Sequence, residues 1–368
     1  MEERMRWPTT GVTTERPDGA DAPGGGPDAH GELAFFTDDG AHQRLTVSHR
    51  EEVPAPDREP LRAGRLVLGT GWKVVQYRLP REARDDHRAR DRLEREVGAG
   101  LAVSRAYRGA PYARLFPRLA GYHLDTEEPF VFYRSSRGTP LAGLAGRVDV
   151  RDQRTIMGDL VLAVRLLEAV GIVHRGITPH GVLWDGERVR LPEPYTATRA
   201  GLPREPLGAA PWAGPEQREG RGEADPRDDL WSVAQVMYHL LTGRPGSASG
   251  PHRDLAGRPA LAVLADAFAP RAADRPRPAE VLRMLNRPDP LEERPLPPDP
   301  LEADRRAFDD ELARKRRALG LAPAADGDGY GNGYGNRDGG GYGGGDADDD
   351  GFGPRVRRGW FGGRGRRR

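Results

Sequence analysis

Apolar and polar positions change their rhythm several times along the chain, and each change predicts an element. L-A-F-F at Leu33–Phe36, the Asp39-Gly40 pair and Q-R-L-T-V at Gln43–Val47 read as a hairpin, Asp-Gly being suited to a tight strand-linking turn. A Pro-broken loop from Val53 to Pro60 leads to two further strand-like runs, Arg65–Leu68 and Trp72–Leu79, around Gly69-Thr70-Gly71. Next comes R-E-A-R-D-D-H-R-A-R-D-R-L-E-R-E-V, rich in helix formers and charge. Strands are predicted at Tyr112–Leu119 and Pro129–Arg134, followed by the connector S-S-R-G-T-P-L.

Beyond that point helical spacing dominates. Ile156, Leu160, Val164 and Leu167 lie on one stripe, which predicts a helix with one buried face. The stretch G-I-V-H-R-G-I-T-P-H-G-V-L-W-D, Gly171 to Asp185, separates this helix from a short strand, Val189–Leu191. From Asp229 to Pro245 apolar residues lie nearly all round the helix, the mark of a buried central element. A closing helix follows Arg275 in A-A-D-R-P-R-P-A-E-V-L.

Composition places the patterned block inside two biased ends. Gly and Pro are denser in the ends: the 112 residues outside 31–286 hold 23 of the 49 Gly and 12 of the 34 Pro. Residues 1–30 read as a disordered segment and 287–300 as a stiff Pro-rich linker. Residues 301–321 read as a charged helix with a narrow stripe at Leu301, Phe308, Leu312 and Leu319. The segment 322–368 is low-complexity, Gly/Tyr/Asp-rich and then Arg-Gly-rich. A net charge of +1 provides no molecule-wide field toward nucleic acid or membrane. Absence of Cys excludes disulfides and thiol chemistry, and no apolar run is long enough to span a bilayer. A cytoplasmic protein without membrane contact is the expectation. Of 57 basic residues only Lys73 and Lys315 are lysines, which restricts where a nucleotide-binding lysine could stand.

The order of these motifs resembles the protein kinase superfamily, in its bacterial eukaryotic-type Ser/Thr branch. His174-Arg175, Pro179 and Val182-Leu183 match the framework of the catalytic loop H-R-D-L-x-x-x-N. G-A-A-P-W-A-G-P-E-Q, Gly208 to Gln217, resembles the segment ending in A-P-E, and Asp229–Pro245 resembles the anchoring helix of the large lobe. The resemblance implies an α+β, bilobal protein-kinase-like fold over residues 31–286. It also assigns structural roles: Glu216 and Arg275 as a buried ion pair, Asp229 as an acceptor for the catalytic-loop backbone, and His174 as an internally bonded loop residue, with Arg175 beside it.

The residues that perform kinase chemistry are missing. Gly176 stands in place of the catalytic-base Asp, Thr178 in place of Lys, and Gly181 in place of the metal-binding Asn. Ala209 replaces the loop Thr that bonds the missing Asp and Lys, and Glu193-Pro194-Tyr195 replaces D-F-G. Glu193 is either a weak holder of hydrated Mg²⁺ or an ordinary loop residue. Glu96 falls where the family's small-lobe helix pairs with a strand lysine, or is one more solvated charge on a charged helix. Lys73 is the candidate partner, although strand alternation puts Tyr77 in the usual lysine position. In a second register Gly69-Thr70-Gly71 forms the phosphate loop.

Lys73 and Glu96 are therefore the candidate cofactor-binding residues, for ATP with or without Mg²⁺, and no metal ligand set is expected. The leading reading is a pseudokinase, a regulatory or scaffolding module in intracellular signalling that engages protein partners. One alternative is an active Ser/Thr kinase with relocated catalytic residues, for which His180 and Asp185 lie nearby in sequence. Another is an adaptor whose Arg-Gly tail, 351–368 with Trp360 and Phe361, binds nucleic acid by charge and stacking.

Overall fold

The computed structural model describes residues 31–69, 71–250, 259–293 and 314. The expectations for 1–30, 294–300, the remainder of 301–321 and the tail 322–368 lie outside the described residues. The chain divides into two compact units, 1–303 and 304–368, and residues 31–293 belong to the first.

The α+β class holds. Strands β1 (Glu32–Phe36), β2 (His42–Val53), β3 (Arg62–Leu68), β4 (Trp72–Arg78), β5 (Leu119–His123) and β6 (Phe130–Arg134) form a closed barrel in the order β1-β2-β3-β4-β6-β5. Phe36 opposite Tyr122 closes it. Alternation sends Leu66 and Leu68 of β3 and Val74 of β4 to the same interior as Phe35, Phe130 and Phe132. Phe35 and Phe132 meet edge to face with centroids 4.9 Å apart. The strand expected at Tyr112–Leu119 is instead a 3₁₀ turn, Pro111–Leu115, and β5 starts only at Leu119. Pro111 suits the first position of a helical turn, and Pro117 has no N–H to give a ladder.

Outside the barrel lies α1 (His87–Tyr107), whose first turn is capped by the Asp86 carboxylate accepting from Ala89 N at 3.0 Å. Despite its charge, α1 buries Leu93 and Val97 against Leu61, Leu79, Leu119 and Val131.

The remaining elements build a second, largely helical core. Its α-helices are α2 (Val150–Ala169), α3 (Pro215–Glu219), α4 (Pro226–Thr242), α5 (Pro259–Ala262), α6 (Pro278–Met284) and α7 (Pro290–Glu293). Short strands β7 (Thr139–Pro140), β9 (Leu183–Trp184) and β10 (Val189–Arg190) form one small sheet, and β8 (Ile172–Val173) pairs with β11 (Thr198–Arg199). Helix α4 begins with a capping box between Asp225 and Asp228 and with Pro226 at its first turn, where the missing N–H costs nothing. It is buried along nearly its whole length, Trp231 fully so, and the Trp231 indole N–H donates to Pro211 O at 2.9 Å.

Packed structure continues past residue 286, where the linker was expected to begin. Arg287 lies over Gly158 and pairs with the fully buried Asp159. Asp289 pairs with Arg165 at 2.7 Å, and Leu291 joins the helical core. The Pro-charge alternation hides this anchor, because Arg287 and Asp289 act through side-chain pairs that leave no periodicity. Among the described residues no helix is long and apolar enough to cross a membrane.

Candidate functional site

The loop between β8 and β9 is built around an acidic group of α4. The backbone N–H groups of His174 and Arg175 each donate to Asp229, both at 2.7 Å. Burial pushes the Asp229 carboxyl up to about 7, against the opposing pull of those two hydrogen bonds. The bonds hold Arg175 in a left-handed conformation (φ 64°), which a non-glycine residue adopts only under constraint. The His174 ring is buried, its Nε2 lies 3.1 Å from Pro192 O, and its Nδ1 accepts from Gly176 N at 3.3 Å. Those partners select the neutral tautomer protonated at Nε2, and burial lowers the ring pKa to about 4. The Arg175 guanidinium donates to Glu205 O at 2.5 Å.

At Gly176 and Gly181 other side chains fill the space that a Cβ would take. A Cβ at Gly176 would overlap Thr196 Oγ1, and the Thr196 hydroxyl donates to His174 O at 2.9 Å. A Cβ at Gly181 would meet Pro192 at 3.0 Å, tighter than an ordinary contact. Thr178 points back into its own turn, its Oγ1 accepting from Gly181 N at 3.2 Å. Ala209 is exposed, its carbonyl accepting from Ala213 N at 3.1 Å. Asp185 closes the turn before β10 by accepting from Arg188 N and Glu187 N at 2.8 and 2.9 Å. Burial works to raise its pKa, but those hydrogen bonds lower it, so it is spent on the turn. His180 is exposed.

The second group of residues gathers on Arg58, a position that no motif in the sequence marks. Glu96 is no solvated charge: it is fully buried on α1, and its partner is Arg58, not Lys73. Arg58 Nη1 donates to Oε1 and Oε2 of Glu96 at 2.9 and 3.1 Å, and Nη2 reaches Glu193 Oε2 at 3.4 Å. Tyr77 lies under the guanidinium with its ring centroid 3.6 Å away, and the Tyr195 centroid is 4.7 Å away. Burial raises the Glu96 pKa and Arg58 works against it. For Arg58 burial acts to lower the pKa, but Glu96, Tyr77 and Glu193 together raise it, so the guanidinium stays charged. Burial likewise raises the Tyr77 and Tyr133 hydroxyls, leaving both protonated.

Three sequence expectations change here. Lys73 is exposed opposite Val67, near the β3–β4 turn, whereas Tyr77 lies at the other end of β4 opposite Ala63. Gly69 and Gly71 belong to that β3–β4 turn, their positive φ values (53° and 113°) serving the chain reversal between Leu68 and Trp72. Glu193 is an ion-pair partner and not a plain loop residue. A cue to Arg58 existed: with so few lysines, an Arg in the loop before the second family-like strand was a candidate cation.

The scaffold pair is formed as well. Arg275 reaches Glu216 at 2.6 Å and, at 3.8 Å, the fully buried Asp228, which also holds Arg204 at 2.8 Å. Sequence reasoning missed Asp228 beside Asp229, because no local pattern tells a buried carboxylate near a helix start from a solvated one.

Protein kinases hold Mg²⁺–ATP with a lysine–glutamate pair, an Asp and an Asn on the metal, and a glycine-rich loop over the phosphates. The residues here do not fit that group: positions 176 and 181 carry no side-chain oxygen, and the guanidinium of Arg58 lies between the two remaining carboxylates.

The chain is similar in sequence to parts of several protein kinases. Serine/threonine-protein kinase PknL of Mycobacterium tuberculosis is 34% identical over 132 residues, 33% of this chain and 29% of that protein. CBL-interacting protein kinase 16 of Oryza sativa subsp. japonica is 32% identical over 123 residues, 31% of this chain and 27% of that protein. A probable serine/threonine-protein kinase PknB of Bifidobacterium longum is 27% identical over 128 residues, 32% of this chain and 18% of that protein. The chain thus spans less than a third of the length of these curated relatives. No family model matches it.

Proposed function

We propose that this chain is a catalytically impaired protein-kinase-like protein, a pseudokinase that acts as a regulatory or scaffolding module in the cytoplasm through protein partners. In this reading the barrel with α1 is the small lobe of a bilobal fold, and the helical core is the large lobe. The observation that carries it is the filling of the chemical positions: Thr196 against Gly176 and Pro192 against Gly181. Phosphoryl transfer needs an acceptor for the hydroxyl proton and oxygen ligands for the metal. Neither glycine offers one. The loop geometry that would present them is nevertheless retained through Asp229, which is what a fold kept for binding requires.

The test is transfer of labelled phosphate from ATP, in the presence of Mg²⁺, to the full-length chain itself and to generic Ser/Thr substrates. No incorporation above the no-enzyme background is expected. Incorporation lost on Asp185→Asn or Glu193→Gln would overturn the proposal in favour of an enzyme with relocated catalytic residues.

A further inference from the structure

We infer that Arg58 is the resident cation of this site: supplied by the chain's own Pro-rich loop, it closes the site to nucleotide and ties α1 to the segment after β10 without any ligand. The inference rests on the kinase-like reading only for the nature of the ligand excluded.

Both terminal nitrogens of Arg58 are engaged. Nη1 serves both oxygens of Glu96, and Nη2 serves Glu193. Tyr77 covers one part of the guanidinium π surface at 3.6 Å, Tyr195 approaches at 4.7 Å, and the residue is only 8% exposed. A phosphate taking Nη1 or Nη2 would have to displace the fully buried Glu96, or Glu193, in order to gain its own contact. It would also enter beside two carboxylates that share a single cation, so its charge is repelled by the one in excess.

The loop carrying Arg58 is chemically opposite to a phosphate cradle. Such a cradle works by pointing free backbone N–H groups at the ligand, and glycine permits the approach. Here Pro54, Pro56 and Pro60 have no N–H at all. Two that remain are turned inward: Arg58 N donates to Ala55 O at 3.0 Å and Leu61 N to Arg58 O at 2.8 Å. Leu61 is buried against Leu93 and Val97 of α1, so the loop is anchored on the helix that Arg58 also holds. Arg58 thereby connects three parts of the chain: its own loop, α1 through Glu96, and the post-β10 segment through Glu193 and Tyr195.

Two measurements on the full-length chain test this. In titrations with a fluorescent ATP analogue, with and without Mg²⁺, the wild type is expected to show no saturable binding. In hydrogen exchange, Arg58→Met is expected to speed amide exchange together in His87–Tyr107 and in the Leu191–Arg199 segment, by about tenfold or more, while α4 keeps its rate. Should Arg58→Met not fold, Arg58→Lys is expected to speed the same two segments by less, since an ammonium keeps the positive charge but, as a single nitrogen, cannot serve Glu96 and Glu193 from two donors fixed in one plane. Saturable nucleotide binding by the wild type, lost in Arg58→Lys, would overturn the inference by making Arg58 a phosphate ligand. Unchanged exchange in both segments would overturn it too. Binding without phosphate transfer sinks this inference and leaves the proposed function standing, whereas transfer sinks the function.

Discussion

At Gly176 the absent side chain and its neighbour form one unit, because Thr196 Oγ1 occupies the volume a Cβ would need and bonds His174 O. Placing an Asp there is an overpacking change. Gly176→Asp is expected to destabilise the fold by about 1–3 kcal/mol without creating phosphotransfer, as read by urea unfolding and labelled ATP. Because Thr196→Ala removes the overlapping oxygen, the double variant should be less destabilised than the sum of the two singles. Two additive costs would show that the positions do not compete for space. Two residues earlier, His174 is buried neutral with a pKa of about 4, set by burial, with the Pro192 carbonyl and the Arg58 charge as its other influences. An unfolded His titrates near 6.5, so between the two values the unfolded state binds more protons and stability falls on acidification. Comparing wild type with His174→Gln, the wild type's relative stability should fall by up to about 3 kcal/mol from pH 7 to pH 4. A constant difference across that range would mean the ring is not buried neutral.

At the scale of elements, two ion pairs fasten helices in different ways. Arg275, fully buried, joins the residues before α6 to Glu216 of α3 and lies near Asp228 of α4. Arg275→Ala removes one cation from two buried carboxylates, and a loss of about 3–5 kcal/mol is expected in chemical denaturation. A wild-type-like midpoint would contradict the pairing. Arg58 does the corresponding work for α1, and its removal has a distinctive pH signature. Glu96 is faced by Arg58, Glu193 and Tyr133. Without Arg58, the burial that raises its pKa has lost its main opponent. The folded state then holds a proton that the unfolded carboxyl, titrating near 4.3, has released. Stability of Arg58→Met should therefore fall as pH rises from 5 to 8, relative to wild type. Thermal melts at those two pH values check the sign, and a deficit that shrinks with rising pH would refute it. Glu193→Gln should be milder, since Arg58 keeps both oxygens of Glu96.

For the folded unit as a whole, the carboxy-terminal boundary decides stability. A chain ending at 286 loses Arg287 from Asp159 and Asp289 from Arg165, and uncovers the core that Leu291 packs on. Asp159, fully buried, would be left with Arg188 at 3.6 Å and the Val189 N–H at 3.4 Å. A chain of residues 31–286 is expected to be less stable than one of 31–293 by the order of 3 kcal/mol, visible as a lower melting temperature. Equal melting would mean that Arg287 and Asp289 are surface decoration.

What the sequence alone determined were features that local chemistry writes into consecutive residues. The first hairpin follows from alternation and Asp39-Gly40, the existence of α2 from helical spacing, and the burial of α4 from apolar residues all round it. The single buried face expected of α2 is instead burial nearly all round from Ile156 to Glu168, since other elements pack on its other sides. Side-chain absences at 176 and 181 were equally legible, because glycine has nothing to offer in any fold. Only the tertiary structure decided what fills those absences and which charges meet. Arg58 and Glu96 lie 38 residues apart, and Arg58 and Glu193 lie 135 apart. No periodicity links such positions, and most Arg and Glu residues of so charged a chain are solvated. Their pairing emerges when the Pro-rich loop anchors through Leu61 on α1, which brings one guanidinium against two carboxylates and keeps screening water from the fully buried Glu96.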